Sequence, residues 1–198
     1  MTVILASGSA GRLAMLRDAG VDVSALVSAV DEDSIKAALI GEGAKPRDIA
    51  DALAEAKAIK VSRKFPTGLV LGCDQVLVTD DGRLLDKPQN ARDAVAQLKL
   101  LSGSTHRLIS AAVICEGGAP IWRTTDTAKM TMRALSEGFI KNYVANYWDE
   151  IRHCVGCYRV EAEGAQLFTG ISGSHFTVIG LPLLPVLDYL RVRGKLPS

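Results

Sequence analysis

The chain carries almost no net charge. Its 23 lysines and arginines stand against 22 aspartates and glutamates, leaving +1 over 198 residues. That balance argues against broad attraction to nucleic acid or to a membrane surface. There is no basic tail, and the opening residues lack the charged stretch and following apolar run of a secretory leader. No uninterrupted apolar run approaches the length of a spanning helix. These absences lead us to expect a cytoplasmic protein with no membrane partner and no stable nucleic-acid partner. Repeats, low-complexity tracts and long linkers are missing as well. Only four cysteines occur, at positions 73, 115, 154 and 157. Cys154-Val-Gly-Cys157 has the spacing of a redox pair or half a zinc site. No second pair exists, and the nearest histidine is the adjacent His153, so zinc would be short of ligands. Structural thiols in a reducing compartment are expected. A Ser–His hydrolase is not supported either, because the nucleophile-elbow pattern is absent.

What the chain does have is hydrophobic content of 48%, enough for a real core in one domain or two modest lobes. Its most informative stretch is Leu5-Ala-Ser-Gly-Ser-Ala-Gly-Arg12. An apolar run from Val3 reads as a buried strand, and Arg12 opens a helical pattern with Leu13 and Leu16 on one face. A small-residue turn at a helix N-terminus aims free backbone N–H groups and a positive dipole at one point. Ser7 and Ser9 add hydroxyl donors, and Arg12 adds a fork suited to phosphate oxygens. The stretch is neither a Walker A loop nor a Gly-x-Gly-x-x-Gly fingerprint. A plain strand-to-helix turn with Ser9 as N-cap stands beside the phosphate reading at this point.

The remaining pattern alternates strands and helices. Val21 to Val30 reads as a second strand, and Pro46 as the first residue of a helix to about Ser62, with Ile49, Leu53, Ala56 and Lys60 on one face. Leu69 to Val78 is strand-like, and Asp81-Gly82 predicts a hairpin into Leu84-Leu85. Asn90 caps a helix ended by Gly103. His106–Cys115 and Ile121–Met132 look like paired strands, and Ser136 caps a helix packed through Phe139, Ile140, Tyr143 and Val144. Short strands are expected to flank the glycine-rich segment 164–173, and Pro182 starts a last helix ended by Gly194. The fold class expected is α/β with a mixed, strongly twisted sheet and flanking helices, since hairpins demand antiparallel neighbours.

Asp74 ends the run Leu69-Val-Leu-Gly-Cys73, so a carboxylate is expected at the end of a buried strand. Such a group can hold a hard divalent ion or take a proton from an attacking water, or it can merely cap a turn. Lys57 and Lys87 would ordinarily be solvated charges, and the acidic run Asp31-Glu-Asp33 a solvated loop or helix start.

The order and separation of these elements, with Gly156-Cys-Tyr158, Ser172-Gly-Ser174 and Gly180-Leu-Pro182 near the C-terminus, resemble the Maf family of nucleoside triphosphate pyrophosphatases. The resemblance runs from Val3 to about Leu190, within a single Maf-like domain assigned to residues 1–198. It implies two lobes around a nucleotide-binding cleft, and hydrolysis of a nucleoside triphosphate to the monophosphate and pyrophosphate. It further implies Asp74 as proton acceptor, with Lys57 and Lys87 beside it as catalytic cations. Glu32 with Asp74 is implied as the holder of a divalent metal, Mg2+ first and Mn2+ second, because magnesium bridges phosphates using few protein carboxylates. Ser7, Ser9 and Arg12 are implied on the phosphates, and Gly11, Gln75 and Glu161 at the positions that choose the base. His106 matches a Ser-Gly-x-x-His element, for which a structural role is expected. A homodimer is suggested by the family alone.

The chain departs from the family where Ser-x-Ser-Pro-Arg-Arg is usual, since Ala10 and Gly11 replace the proline and first arginine. Gln75 and Glu161 resemble the members acting on 7-methyl-GTP, although Gly11 stands where those carry tryptophan. House-cleaning of modified nucleotides such as 7-methyl-GTP is the substrate class expected. A non-catalytic nucleotide- or nucleic-acid-binding regulator linked to septum formation is the alternative. Retention of Asp74, Glu32, Lys57 and Lys87 argues for turnover.

Overall fold

The structure is a computed structural model and describes residues 2–197. Its chain divides into two compact units, each assembled from separate segments. The first comprises the chain up to Gln75, Ile109–Asp126 and the chain from Gly180, and the second comprises Val76–Leu108 and Thr127–Ile179.

In the first unit β1 (Val3–Leu5) pairs in parallel with both β2 (Val23–Ala25) and β3 (Val70–Thr79). The expected second strand from Val21 to Val30 is thus three residues long. β1 offers only three rungs, Val3 to Val23, Ile4 to Ser24 and Leu5 to Ala25, after which the N–H of Leu26 bonds the Leu5 carbonyl and the chain turns away. Between β1 and β2 lies α1 (Ala10–Asp18), which buries Leu16. The acidic run Asp31-Glu-Asp33, expected as a solvated loop or helix start, starts the helix α2 (Glu32–Gly41), which buries none of its residues. Asp31 caps it on Ser34, and Glu32 and Asp33 occupy its first turn. The helix α3 (Pro46–Ser62) begins at the expected proline. Its buried face runs through Ile49, Leu53, Lys57 and Val61, so Ala56 and Lys60 lie off the stripe assigned from the sequence.

In the second unit β3 continues to Thr79 and turns at Gly82 (φ +88°) into β4 (Leu84–Leu85), with Leu77 opposite Leu85. The helix α4 (Ala91–Leu101), capped by Asn90, packs with α5 (Glu137–Ile151), capped by Ser136. Leu98, Leu101, Met130, Met132, Ile140 and Tyr143 form the centre of this unit's core. The strands β5 (Thr105–Glu116) and β6 (Ala119–Met132) contribute residues to both units, and Gly117-Gly118 connects them. In place of strands flanking 164–173, a 3₁₀ turn at Glu163–Leu167 leads into a single strand, β7 (Phe168–Ser172), antiparallel to β6. The short α6 (His175–Ile179) was not foreseen, and α7 (Leu183–Val192) follows Pro182. The seven strands form one mixed sheet in the order β2-β1-β3-β5-β6-β7, with β4 added to β3. Among the described residues no helix is long and apolar enough to cross a membrane.

Candidate active site

The Ser-Gly-Ser turn follows directly from the three-residue β1. Ser9 caps α1 by accepting from the Arg12 N–H at 3.3 Å. Ser7 Oγ accepts from the Ser9 N–H at 3.2 Å and from Arg12 Nη1 at 3.3 Å. A hydroxyl that accepts still has its own proton to donate, so capping and ligand contact are compatible uses of both serines. Arg12 is held by backbone: Nε donates to the Gly180 carbonyl at 2.7 Å and Nη1 to the Cys73 carbonyl at 3.0 Å. Gly180 adopts φ +114°, and a Cβ there would lie 3.1 Å from both Nε and Nη2 of Arg12. A side chain at position 180 would therefore crowd the guanidinium. The Arg12 hydrogen bonds go to two backbone carbonyls and a hydroxyl, all of them neutral, so they leave its charge uncancelled.

Asp74 sits in the middle of β3, not at a strand end as the sequence suggested, because pairing with β4 carries the strand on to Thr79. It is 6% exposed. Lys57, 7% exposed, reaches it from α3 with Nζ 2.6 Å from Oδ1. The approach depends on Gly72, where an added Cβ would collide with the Ala54 carbonyl and lie within 2.9 Å of Ala58. Glycine in this strand lets the helix backbone lie on the sheet, and Lys57 sits between those two alanines in sequence. Lys57 Nζ also lies 2.8 Å from Oε2 of Glu32, whose side chain is 47% exposed on the first turn of α2. One buried ammonium is thus shared by two carboxylates. Burial pushes the Asp74 carboxyl above the ordinary carboxylate range, while Lys57 and Arg12 oppose that rise and Glu32 adds to it.

Gln75 donates through Nε2 to Ser110 Oγ at 3.0 Å, which orients its amide from the neighbouring strand β5. Gly11 lies in the first turn of α1. The first unit therefore carries two contact groups, Ser7 with Ser9 and Arg12, and Lys57 with Asp74 and Glu32, linked by the Arg12 bond to the Cys73 carbonyl next to Asp74; it also carries Gly11 and Gln75. The second unit carries Lys87 and Glu161. Lys87 is exposed beside the buried Pro88, and Glu161 pairs with Arg159 at 3.4 Å. Both act on the Cys154 thiol, which burial and Glu161 raise and Arg159 and Lys87 lower.

Residues 2–193 match the profile of the family described as Maf-like protein. The chain belongs to the Maf family. A Maf relative from Ruegeria pomeroyi, named nucleoside triphosphate pyrophosphatase, is 55% identical over the full length of both chains. Another of that name, from Sphingopyxis alaskensis, is 49% identical, again over 100% of each chain. A protein from Mesorhizobium japonicum named 7-methyl-GTP pyrophosphatase is 47% identical over 98% of this chain and 97% of its own.

Two carboxylates converging on one cation suit magnesium, which takes one or two carboxylates and completes its shell with phosphate oxygens and water. Among the described residues no cluster of three or more His, Cys, Asp or Glu side chains is arranged to hold a metal. The four cysteines are free thiols. Cys157 donates to Gln97 Oε1 at 3.5 Å inside the second unit's core, and burial raises its thiol strongly. His106 is fully buried there, 2.7 Å from Tyr158 Oη through Nε2. What sequence reasoning did not see was the support for the charged groups: the Gly180 and Cys73 carbonyls under Arg12, and Gly72 under α3. A glycine inside an apolar strand was the one available signal.

Proposed function

We propose that the chain is a metal-dependent nucleoside triphosphate pyrophosphatase, cleaving between the α- and β-phosphates to release a nucleoside monophosphate and pyrophosphate. The observation that carries this reading is Lys57 buried between Asp74 and Glu32, beside an arginine held by backbone carbonyls. Membership of the Maf family and the names of its relatives agree with it. Asp74, made more basic by burial, accepts a proton from the attacking water. Lys57 holds that carboxylate in place and offsets charge, while Arg12 and the hydroxyls of Ser7 and Ser9 face the phosphate oxygens. Glu32 and Asp74 would hold the divalent ion, magnesium or manganese. A divalent ion held there would supply positive charge to offset that of the phosphates. Lys87 is assigned to the departing phosphates.

For the base, Glu161 accepts hydrogen bonds and cannot donate them when ionised. Guanine offers N1–H and its exocyclic amine together, and N7-methylation adds a positive charge that a carboxylate also favours. Guanine-type substrates, 7-methyl-GTP among them, are therefore preferred, with Gln75 and Gly11 as the other selecting positions. Gly11 leaves space where a stacking ring would lie, so discrimination is loose. The test is pyrophosphate release from GTP, 7-methyl-GTP, UTP and dTTP with magnesium, in the wild type and in Glu161→Gln. Release from none of them would overturn the activity. A wild-type preference for UTP or dTTP, or a ranking unmoved by the substitution, would overturn the base assignment alone.

A further inference from the structure

Glu32 stands on a helix that apolar packing does little to fix, for α2 buries none of its residues. The loop before it, between β2 and α2, exposes Leu26 and Val27. Its near end is tied where the Leu26 N–H bonds the Leu5 carbonyl at 2.9 Å, and Val27 lies over Gly8. Its far end is tied by Asp31, which accepts from the N–H and the hydroxyl of Ser34 at 3.1 and 2.8 Å. Between these ties Ala29 takes φ +45°, the left-handed region that a residue with a Cβ avoids. Its carbonyl accepts from Lys60 Nζ at 2.6 Å. Lys57 and Lys60 are three residues apart on α3, so both point to the same side. Lys60 takes Ala29, and Lys57 takes Glu32, three residues further along the loop.

We propose that Lys60 is a positioning residue for the metal-holding pair, keeping Ala29 in its left-handed turn so that Glu32 meets Lys57 and Asp74. The inference rests on the pyrophosphatase reading of that cluster. Lysine's ammonium is a charged donor, and a charge-assisted bond is stronger than a neutral one to the same carbonyl. Without it the turn at Ala29 relaxes toward a commoner conformation and the carboxylate three residues on loses its aim.

The experiment uses full-length Lys60→Met, which keeps the aliphatic stem and removes the donor, with Lys60→Arg as the conservative variant. Three quantities are read: amide exchange of residues 27–33 without metal, direct Mn2+ binding without nucleotide, and the magnesium dependence of pyrophosphate release from GTP. Lys60→Met should speed exchange in that segment alone and weaken Mn2+ binding by roughly tenfold, as losing a residue that orients a ligand does. The magnesium needed for half-maximal release should rise in parallel, with the rate at saturating magnesium close to wild type. Lys60→Arg should restore all three. Unchanged exchange and Mn2+ affinity in Lys60→Met would overturn the proposal, and so would faster exchange throughout the first unit, which marks a general structural role. Glu32→Gln separates the two readings. If it leaves the magnesium dependence unmoved, the metal assignment itself fails. If it raises that dependence while Lys60→Met does not, only the role of Lys60 fails.

Discussion

Asp74 and Lys57 are both buried, yet they respond differently to removal. Asp74→Asn leaves Lys57 with Glu32 as its partner and discards a carboxylate that burial already disfavours in its charged form. We expect turnover to fall by ~10²–10⁴ through loss of the proton acceptor, with nucleotide binding retained and the urea midpoint little changed. Lys57→Met instead strands Asp74 inside the protein without its ammonium. It should cost about 3 kcal/mol of stability, the penalty for breaking a buried pair from one side, read from urea unfolding of the two variants at neutral pH. Equal losses would mean that the pair does not share its burial as the contacts indicate. A second buried group sets a pH dependence. Burial pushes His106 from 6.5 down to about 4. The unfolded chain gains a proton near 6.5 while the folded chain resists until about 4, so stability falls as pH drops through that window and then levels off. The gap is worth on the order of 3 kcal/mol. His106→Gln should flatten the slope of the urea midpoint between pH 4 and 6.5. A slope unchanged in that variant would assign it to other groups.

At the scale of elements, the packing of α3 on β3 decides whether the two charges meet at all. Gly72→Ala puts a methyl into the Ala54 carbonyl and the Ala58 backbone, and backbone cannot rotate aside. The helix must shift, at about 1–3 kcal/mol, and Lys57 shifts with it. Pyrophosphate release should drop more than stability does, and Gly72→Ser should behave alike; retention of full activity would show that the helix approach is not what sets Lys57. This same contact marks where the sequence could be read and where it could not. Capped helices announced themselves, since Asn90, Ser136 and Pro46 stand where local chemistry wants them. Elements defined by their neighbours did not. β2 ended early because β1 is short, and Asp74 lay mid-strand because β4 extends the ladder. Lys57 was legible in one respect that went unread, for it follows Ile49 and Leu53 and precedes Val61 at steps of four, a lysine in an apolar stripe. The carbonyls that hold Arg12 carry no side-chain signature, so no inspection of residue types would have found them.

Taken whole, the chain builds its first unit from segments that enclose the second in sequence. Removing everything after Ile179 would delete the Gly180 carbonyl together with the buried Leu183, Val186 and Leu190. Each such side chain contributes ~1.5–3 kcal/mol, against a total of about 5–15 kcal/mol for a domain. A chain truncated there should lose amide protection in β1 and in the first half of β3, measured by hydrogen exchange, and should release no pyrophosphate. Persisting protection in those strands would show that the last segment is dispensable to the first unit.

Arg12 and Gly180 lie 168 residues apart in the chain. A ribosome adding about 5–20 residues per second makes the arginine roughly ten to thirty seconds before the carbonyl that will hold it. Over that interval every segment of the second unit is synthesised, whereas the first unit still lacks its closing piece. Arg12 is therefore among the early parts to be made and among the last to be set in place, its support complete only once the segment around Gly180 has emerged.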